Sequence, residues 1–195
     1  FIYYQQGVPS AVISPDVFVI FGVSNHQRMS YKAWNENNKL PDFVLEITSA
    51  STQAQDEQDK PIKYARLGVR EYFQYDPSGD YLNPRLKGVQ LVNGQYQPIE
   101  SYLNADGELS IWSDVLQLEL RLIKGELRFY NPETGAILPS YQELNQAKQQ
   151  AELQRQQAEL QRQQAELQRQ QAEEAINTSI PRLKALGLNR EQIAN

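Results

Sequence analysis

The sequence predicts a fold of the α/β (α+β) kind: a mixed central sheet with flanking helices, a β-rich second half, and a long C-terminal helix. Three observations predict it. Short apolar runs alternate with turn residues through the first half. From Gly88 onward the runs are spaced as antiparallel hairpins. Residues 143–175 are almost entirely Gln, Glu, Arg, Ala and Leu, a composition that favours helix.

The elements follow in order. Residues 1–4 (FIYY) form a strand closed by a turn at 7–9. Val17 to Phe21 is a second strand, introduced by Ser14-Pro15-Asp16 and ended by Gly22. Residues 24–40 are polar and read as a loop around one short helix or strand. Phe43 to Thr48 is the strongest strand, and residues 49–58 form a polar loop. Lys60 to Leu67 reads as a short helix with Asp59 as N-cap, Pro61 in the first turn and Gly68 beyond its end. A start at Asp56 would instead put Pro61 in the helix interior. Glu71 to Tyr75 is the next strand. Asn93-Gly94 joins two strands in a two-residue hairpin. Leu109 to Ile111, Leu116 to Leu122 and Leu127 to Tyr130 complete the β-rich half. The leucines at 116, 118, 120 and 122 alternate with polar residues, as in a strand with one wet face.

A length of 195 residues allows one ordinary domain with an appendage. The expected division is a core over 1–142, a heptad helix over 143–175 and a short helical element over 176–195, with Gly187 as a stop and Asn189 and Gln192 as a cap. Leu153, Leu160 and Leu167 share one heptad position, but the complementary position holds Gln150, Gln157 and Gln164. Half the seam is polar, so the tail is either a weak coiled coil or a solvated spacer. A homo-oligomer through residues 146–175 is the partner it suggests. Because the chain begins in strand-like sequence at Phe1, its natural N-terminus is expected to lie upstream.

Composition excludes several function classes. With no cysteine there is no disulfide, thiolate metal site or catalytic thiol, and a cytoplasmic location is expected. No apolar stretch reaches the ~18 residues that would span a bilayer, so no membrane partner is expected. A net charge of -5 weighs against non-specific binding to nucleic acid, though a metal can offset charge at a site. His26 is the single histidine, which excludes His-pair metal motifs and makes a Ser-His-Asp hydrolase a poor fit. Nucleotide-binding glycine loops are missing.

The informative residues are two carboxylates. Asp16 opens one apolar strand and Glu46 lies inside another. A carboxylate within an apolar run needs a partner, a metal or a raised pKa. Asp42 competes with Asp16 for the role of first acid. However, Asp42 and Glu46 are four residues apart on one strand, ~13 Å at ~3.3 Å per residue. One cation with ~2.1 Å Mg–O bonds cannot bridge that distance. Asp16, on a different strand, can come alongside Glu46, leaving Asp42 as a cap at the start of its strand. Thr48 shares the Glu46 face but carries no charge. Lys60 can bring a positive charge from the helix, with Lys63 as a substitute one turn on; Asp56 and Gln58 are weaker candidates. Tyr64 and Tyr72 are expected to pack between helix and sheet. Without a metal, Asp16 reads as a turn residue and Glu46–Lys60 as a structural ion pair.

Residues 41–52 (PDFVLEITSAST) and 56–77 (DEQDKPIKYARLGVREYFQYDP), with the upstream Ser14-Pro15-Asp16-Val-Phe-Val, resemble the Uma-type restriction endonucleases. That family is a domain of unknown function within the PD-(D/E)xK nuclease superfamily, and the resemblance covers roughly residues 1–140. It implies a restriction-endonuclease-like core and cleavage of DNA phosphodiesters with Mg²⁺, or Mn²⁺ in its place. It makes Asp16 and Glu46 metal ligands, puts Thr48 in the place of the motif lysine, and moves that lysine to Lys60. Two other readings stand beside it. One is a catalytically inactive nuclease-fold scaffold that assembles through its C-terminal helix. The other is a nuclease acting on RNA or branched DNA.

Overall fold

The structure, a computed structural model, describes residues 1–185. The expected stop at Gly187 and cap at Asn189 and Gln192 lie outside the described residues. The chain divides into a unit over Phe1–Leu138 and a second beginning at Pro139.

The first unit is built on a five-stranded mixed sheet. Its strands are β3 (Val17–Val19), β5 (Phe43–Ile47), β6 (Glu71–Tyr75), β7 (Leu86–Val92) and β8 (Gln95–Pro98), side by side in that order. β5 and β6 run parallel, and the other neighbours are antiparallel. A parallel pair needs a crossover, which residues 48–70 supply, including helix α1 (Lys60–Arg66). The β7–β8 turn is Asn93-Gly94, both with positive φ, as the expected hairpin requires. Gly88 lies across from Phe73, and a Cβ there would come within 2.6 Å of the ring, so the absent side chain makes room for an aromatic.

Both faces of this sheet are covered, which explains why β5 reads as an almost unbroken apolar run. On one face Val44 and Tyr72 pack with Tyr64 of α1 and with a small sheet of β2 (Val12–Ile13), β1 (Ile2–Tyr3) and β4 (Tyr31–Lys32). On the other, Phe43, Leu45, Phe73 and Leu86 pack with Ile111, Val115 and Leu120. Those last three come from the β-rich half, where β9 (Ser101–Leu103), β10 (Leu109–Ser113), β11 (Leu118–Ile123), β12 (Glu126–Asn131) and β13 (Ala136–Ile137) form an antiparallel sheet. Glu71 ties the two together: its buried carboxylate accepts the Ser113 hydroxyl and the backbone N–H groups of Asp114 and Val115. Burial raises the Glu71 pKa, and these donors hold it down against that.

The structure corrects two expectations. Residues 49–58 are not all loop, and Asp59 is no N-cap: α1 begins at Lys60 as expected, but helical backbone already precedes it. Helical backbone starts at Gln53 and passes through a π turn over Gln55–Asp59 into α1. Asp59 is itself helical and makes no capping bond. Pro61 therefore stands in the first turn of α1 yet within continuous helical backbone, where it has no N–H for a regular hydrogen bond. The π turn absorbs the mismatch, with the Lys60 N–H bonded to the Gln55 carbonyl five residues back. The second correction concerns Leu116, which lies in a turn where Gln117 has a φ of 55°, so β11 starts at Leu118. Glu119 and Arg121 on its expected wet face are paired at 2.7 Å, and the Arg121 guanidinium lies 3.4 Å over the Tyr130 ring.

The second unit contains helix α2 (Tyr141–Ala185). At Ser140 a reciprocal cap forms: the Ser140 N–H donates to Glu143, and the Glu143 N–H donates to the Ser140 hydroxyl. Leu153, Leu160 and Leu167 are each more than half exposed.

Candidate active site

The antiparallel pairing of β3 with β5 sets Val17 opposite Leu45 and Phe18 opposite Val44. One step further along the same register, Asp16 faces Glu46. Side chains opposite each other share a face, so both carboxylates lie on the α1 side of the sheet. They meet through the backbone. The Ile47 N–H donates to Asp16 Oδ2 at 2.8 Å, and the Asp16 N–H approaches Glu46 Oε2 at 3.4 Å. Asp16 remains exposed, whereas Glu46 is buried.

Three partners make the buried Glu46 tolerable. The Tyr64 hydroxyl donates to Oε1 at 2.5 Å, and the Lys60 ammonium lies 2.9 Å from Oε2. The third is the Asp16 N–H. Burial pushes the Glu46 pKa up and the Asp16 charge adds to this, while Tyr64 and Lys60 pull it down. Burial also draws the Lys60 pKa down, but hydrogen bonds and charge from Asp56 and Glu46 outweigh it and leave it raised. Lys60 is a held cation. Tyr64, by burial and its bond to Glu46, is kept fully protonated as a donor.

Asp56, in the π turn, completes the cluster. Its Oδ1 lies 2.6 Å from the Lys60 ammonium, and its carboxylate has no solvent exposure. The Tyr72 hydroxyl donates to the Asp56 carbonyl at 2.9 Å, fixing the turn on the sheet. Three buried polar atoms on this face have no hydrogen-bond partner: Thr48 Oγ1, Asp56 Oδ2 and Gln74 Nε2. Thr48 follows Glu46 on the same face of β5, and Gln74 is the neighbour of Glu46 in the parallel ladder.

The structure therefore brings together Asp16, Glu46 and Lys60, with Thr48 buried two residues beyond Glu46. It does not bring Asp42 or Lys63 to them. The Asp42 carboxylate accepts the Phe21 N–H at 2.9 Å and faces Arg70 at 3.9 Å. The Lys63 ammonium donates to the Val12 carbonyl at 2.7 Å and lies over Tyr4. Tyr64 in its role as a Glu46 donor, and Gln74, are not apparent from the sequence reading. Asp56, Lys60 and Tyr64 are spaced four apart on one helical face, a signal hidden by starting the helix at Lys60.

As a cation site the pair is sparse. Among the described residues no group of three or more His, Cys, Asp or Glu is placed to hold a metal ion. Of the two carboxylates, Asp16 is exposed and could meet a hard cation of the Mg²⁺ type, while both Glu46 oxygens already hold Tyr64, Lys60 and the Asp16 N–H. Such an ion is commonly held by one or two carboxylates and keeps its remaining positions for water and substrate phosphate.

The family model described as "Uma2: Putative restriction endonuclease" matches residues 2–128. No curated protein matches the chain. The matched span takes in every strand from β1 to β11, α1 and the whole acid–lysine cluster.

Proposed function

Because the chain belongs to the Uma2 family, we propose that it is a metal-dependent endonuclease that hydrolyses DNA phosphodiester bonds. The observation that carries this reading is the meeting of Asp16, Glu46 and the Lys60 ammonium on one face of the β3–β5 pair. Asp16 and Glu46 would hold the divalent cation, Mg²⁺ or Mn²⁺. When bound, such an ion supplies Lewis-acid polarisation of a phosphoryl oxygen and acidifies bound water.

The chain's own groups do the rest. Lys60 keeps a fixed positive charge at the acid pair, where it can offset negative charge developing on a phosphate. Asp56 holds that ammonium in place. The Tyr64 hydroxyl orients the Glu46 carboxylate and occupies the oxygen that faces the core. These bonds are made before any substrate arrives, so little reorganisation is left for the reaction itself.

Plasmid cleavage tests the reading directly. Wild type should nick or linearise supercoiled DNA with Mg²⁺ or Mn²⁺ and not with a chelator. Glu46→Ala and Lys60→Ala should lose at least about a hundredfold in rate, in line with loss of a positioned electrostatic group. Wild type inert with both metals would turn the reading toward the scaffold alternative. One observation favours that second reading: the regular, exposed leucines of α2, which offer a seam for another copy.

A further inference from the structure

Resting on the nuclease reading, we propose that a cavity beginning at Phe18, two residues along the strand from Asp16, receives an unpaired nucleobase. The preferred substrate is then a strand with an unpaired base next to the cleaved phosphodiester. The cavity measures about 420 Å³ and is lined by Phe18 and Ile20 of the β3 segment and by Asn25, His26 and Arg28 of the loop that follows. Phe18 is two residues beyond Asp16 on the same face, ~7 Å along the strand. A nucleic-acid strand whose phosphate lies at the acid pair has its next base within reach of this cavity.

The lining suits a base. Phe18 is 39% exposed and offers an open aromatic face. Arg28 is anchored as a plane: its guanidinium lies 5.3 Å from the Tyr31 centroid, donates to the Ser24 carbonyl at 2.7 Å and pairs with Glu36 at 3.1 Å. The Arg28 Nε is buried without a partner. Asn25 and His26 are exposed; the His26 Nδ1 is engaged by Ser24 and Arg28, which leaves Nε2 and the Asn25 amide for a base edge. Unstacked bases are recognised by stacking on aromatic rings and guanidinium planes with hydrogen bonds to their edges.

A base inside an intact duplex is stacked and paired and cannot enter the cavity unless it is extruded, which costs energy that a single strand does not spend.

The test uses the full chain carrying Glu46→Gln, so that binding is read without cleavage. Fluorescence anisotropy compares a labelled mixed-sequence single strand with the same sequence as a blunt duplex, in Mg²⁺. The single strand should bind at least about tenfold tighter. Adding Phe18→Leu, which keeps apolar volume but removes the ring, should weaken single-strand binding by roughly five- to a hundredfold and leave duplex binding unchanged. His26→Ala, on the exposed loop, should weaken single-strand binding in the same sense. Equal affinity for both forms would overturn the proposal, as would Phe18→Leu weakening both alike. So would a fall in sedimentation mass with binding unaltered, which would assign the cavity to a second copy. Absence of cleavage of both plasmid and single strand by wild type would sink the nuclease reading alone, because the anisotropy comparison still decides the cavity.

Discussion

Asp56 and Lys60 meet at 2.6 Å across the π turn, with the carboxylate wholly buried and the ammonium shared with Glu46. One cation thus serves two buried acids, and neither acid is comfortable without it. Lys60→Ala should destabilise the fold by about 3–5 kcal/mol, the usual cost of stranding a buried charge. The double variant Lys60→Met with Asp56→Asn removes the charge and one stranded acid together. Urea unfolding should show it less destabilised than the sum of its two single variants. Strict additivity would mean that the pair does not act as a unit.

Glu46→Gln keeps the shape of the side chain and an oxygen to accept from Tyr64. It should leave thermal melting within a few degrees of wild type while cleavage falls at least about a hundredfold. A melting temperature lowered by ten degrees or more would assign Glu46 a mainly structural role.

The Glu71 clamp between β6 and the β10–β11 turn predicts a stability effect with no bearing on the acid pair. Glu71→Ala strands the buried Ser113 hydroxyl and two N–H groups, and should cost about 2–4 kcal/mol. Ser113→Ala should cost about 1 kcal/mol. Metal-dependent cleavage by the folded fraction should be unaltered in both.

Asp76 gives the pH prediction. Its buried carboxylate accepts the Ser78 N–H and hydroxyl and the Tyr81 and Leu82 N–H groups. Burial pushes its pKa up, but these donors win and hold it well below the ordinary carboxylate range. A lowered folded pKa means stability that is present above the unfolded value of ~3.9 and lost as pH falls through the folded value. The stability gap between wild type and Asp76→Ala should therefore be full at pH 6 and shrink steadily below pH 4. A gap independent of pH down to 2 would contradict this account.

A chain ending at Leu138 retains the first unit's internal packing. Its melting temperature should stay within ~3 °C of the full chain. Sedimentation of the two forms checks the scaffold alternative, which requires the number of copies per assembly to fall when the helix is removed.

The sequence made the main frame legible where one physical signal dominated. The strong strands, the Asn93-Gly94 hairpin and the C-terminal helix each follow from periodicity or turn chemistry. The adjacency of Asp16 and Glu46 followed from strand geometry, because two residues four apart on one strand cannot converge. The errors have a common source in backbone compromise. Pro61 argued for a helix start that the π turn made unnecessary, and with that start went the Asp56–Lys60–Tyr64 face. The shortest strands, β2, β9 and β13, carry too few residues for alternation to register. The partners of Glu46 were invisible because a tyrosine between helix and sheet looks the same whether its hydroxyl is used or not.

β5 has one further consequence. Val44 and Glu46 share the face that carries Tyr64 and Lys60, while Phe43 and Leu45 face the hydrocarbon layer against the second sheet. The even face carries the acid at Glu46 and the odd face carries cohesion alone, on a single stretch of five residues. Substitutions can therefore accumulate on the odd positions, drifting among similar apolar side chains, without touching the cluster. A single inserted or deleted residue within the stretch would exchange the two sets at once. Among descendants of this sequence, this segment should vary in identity but never in length.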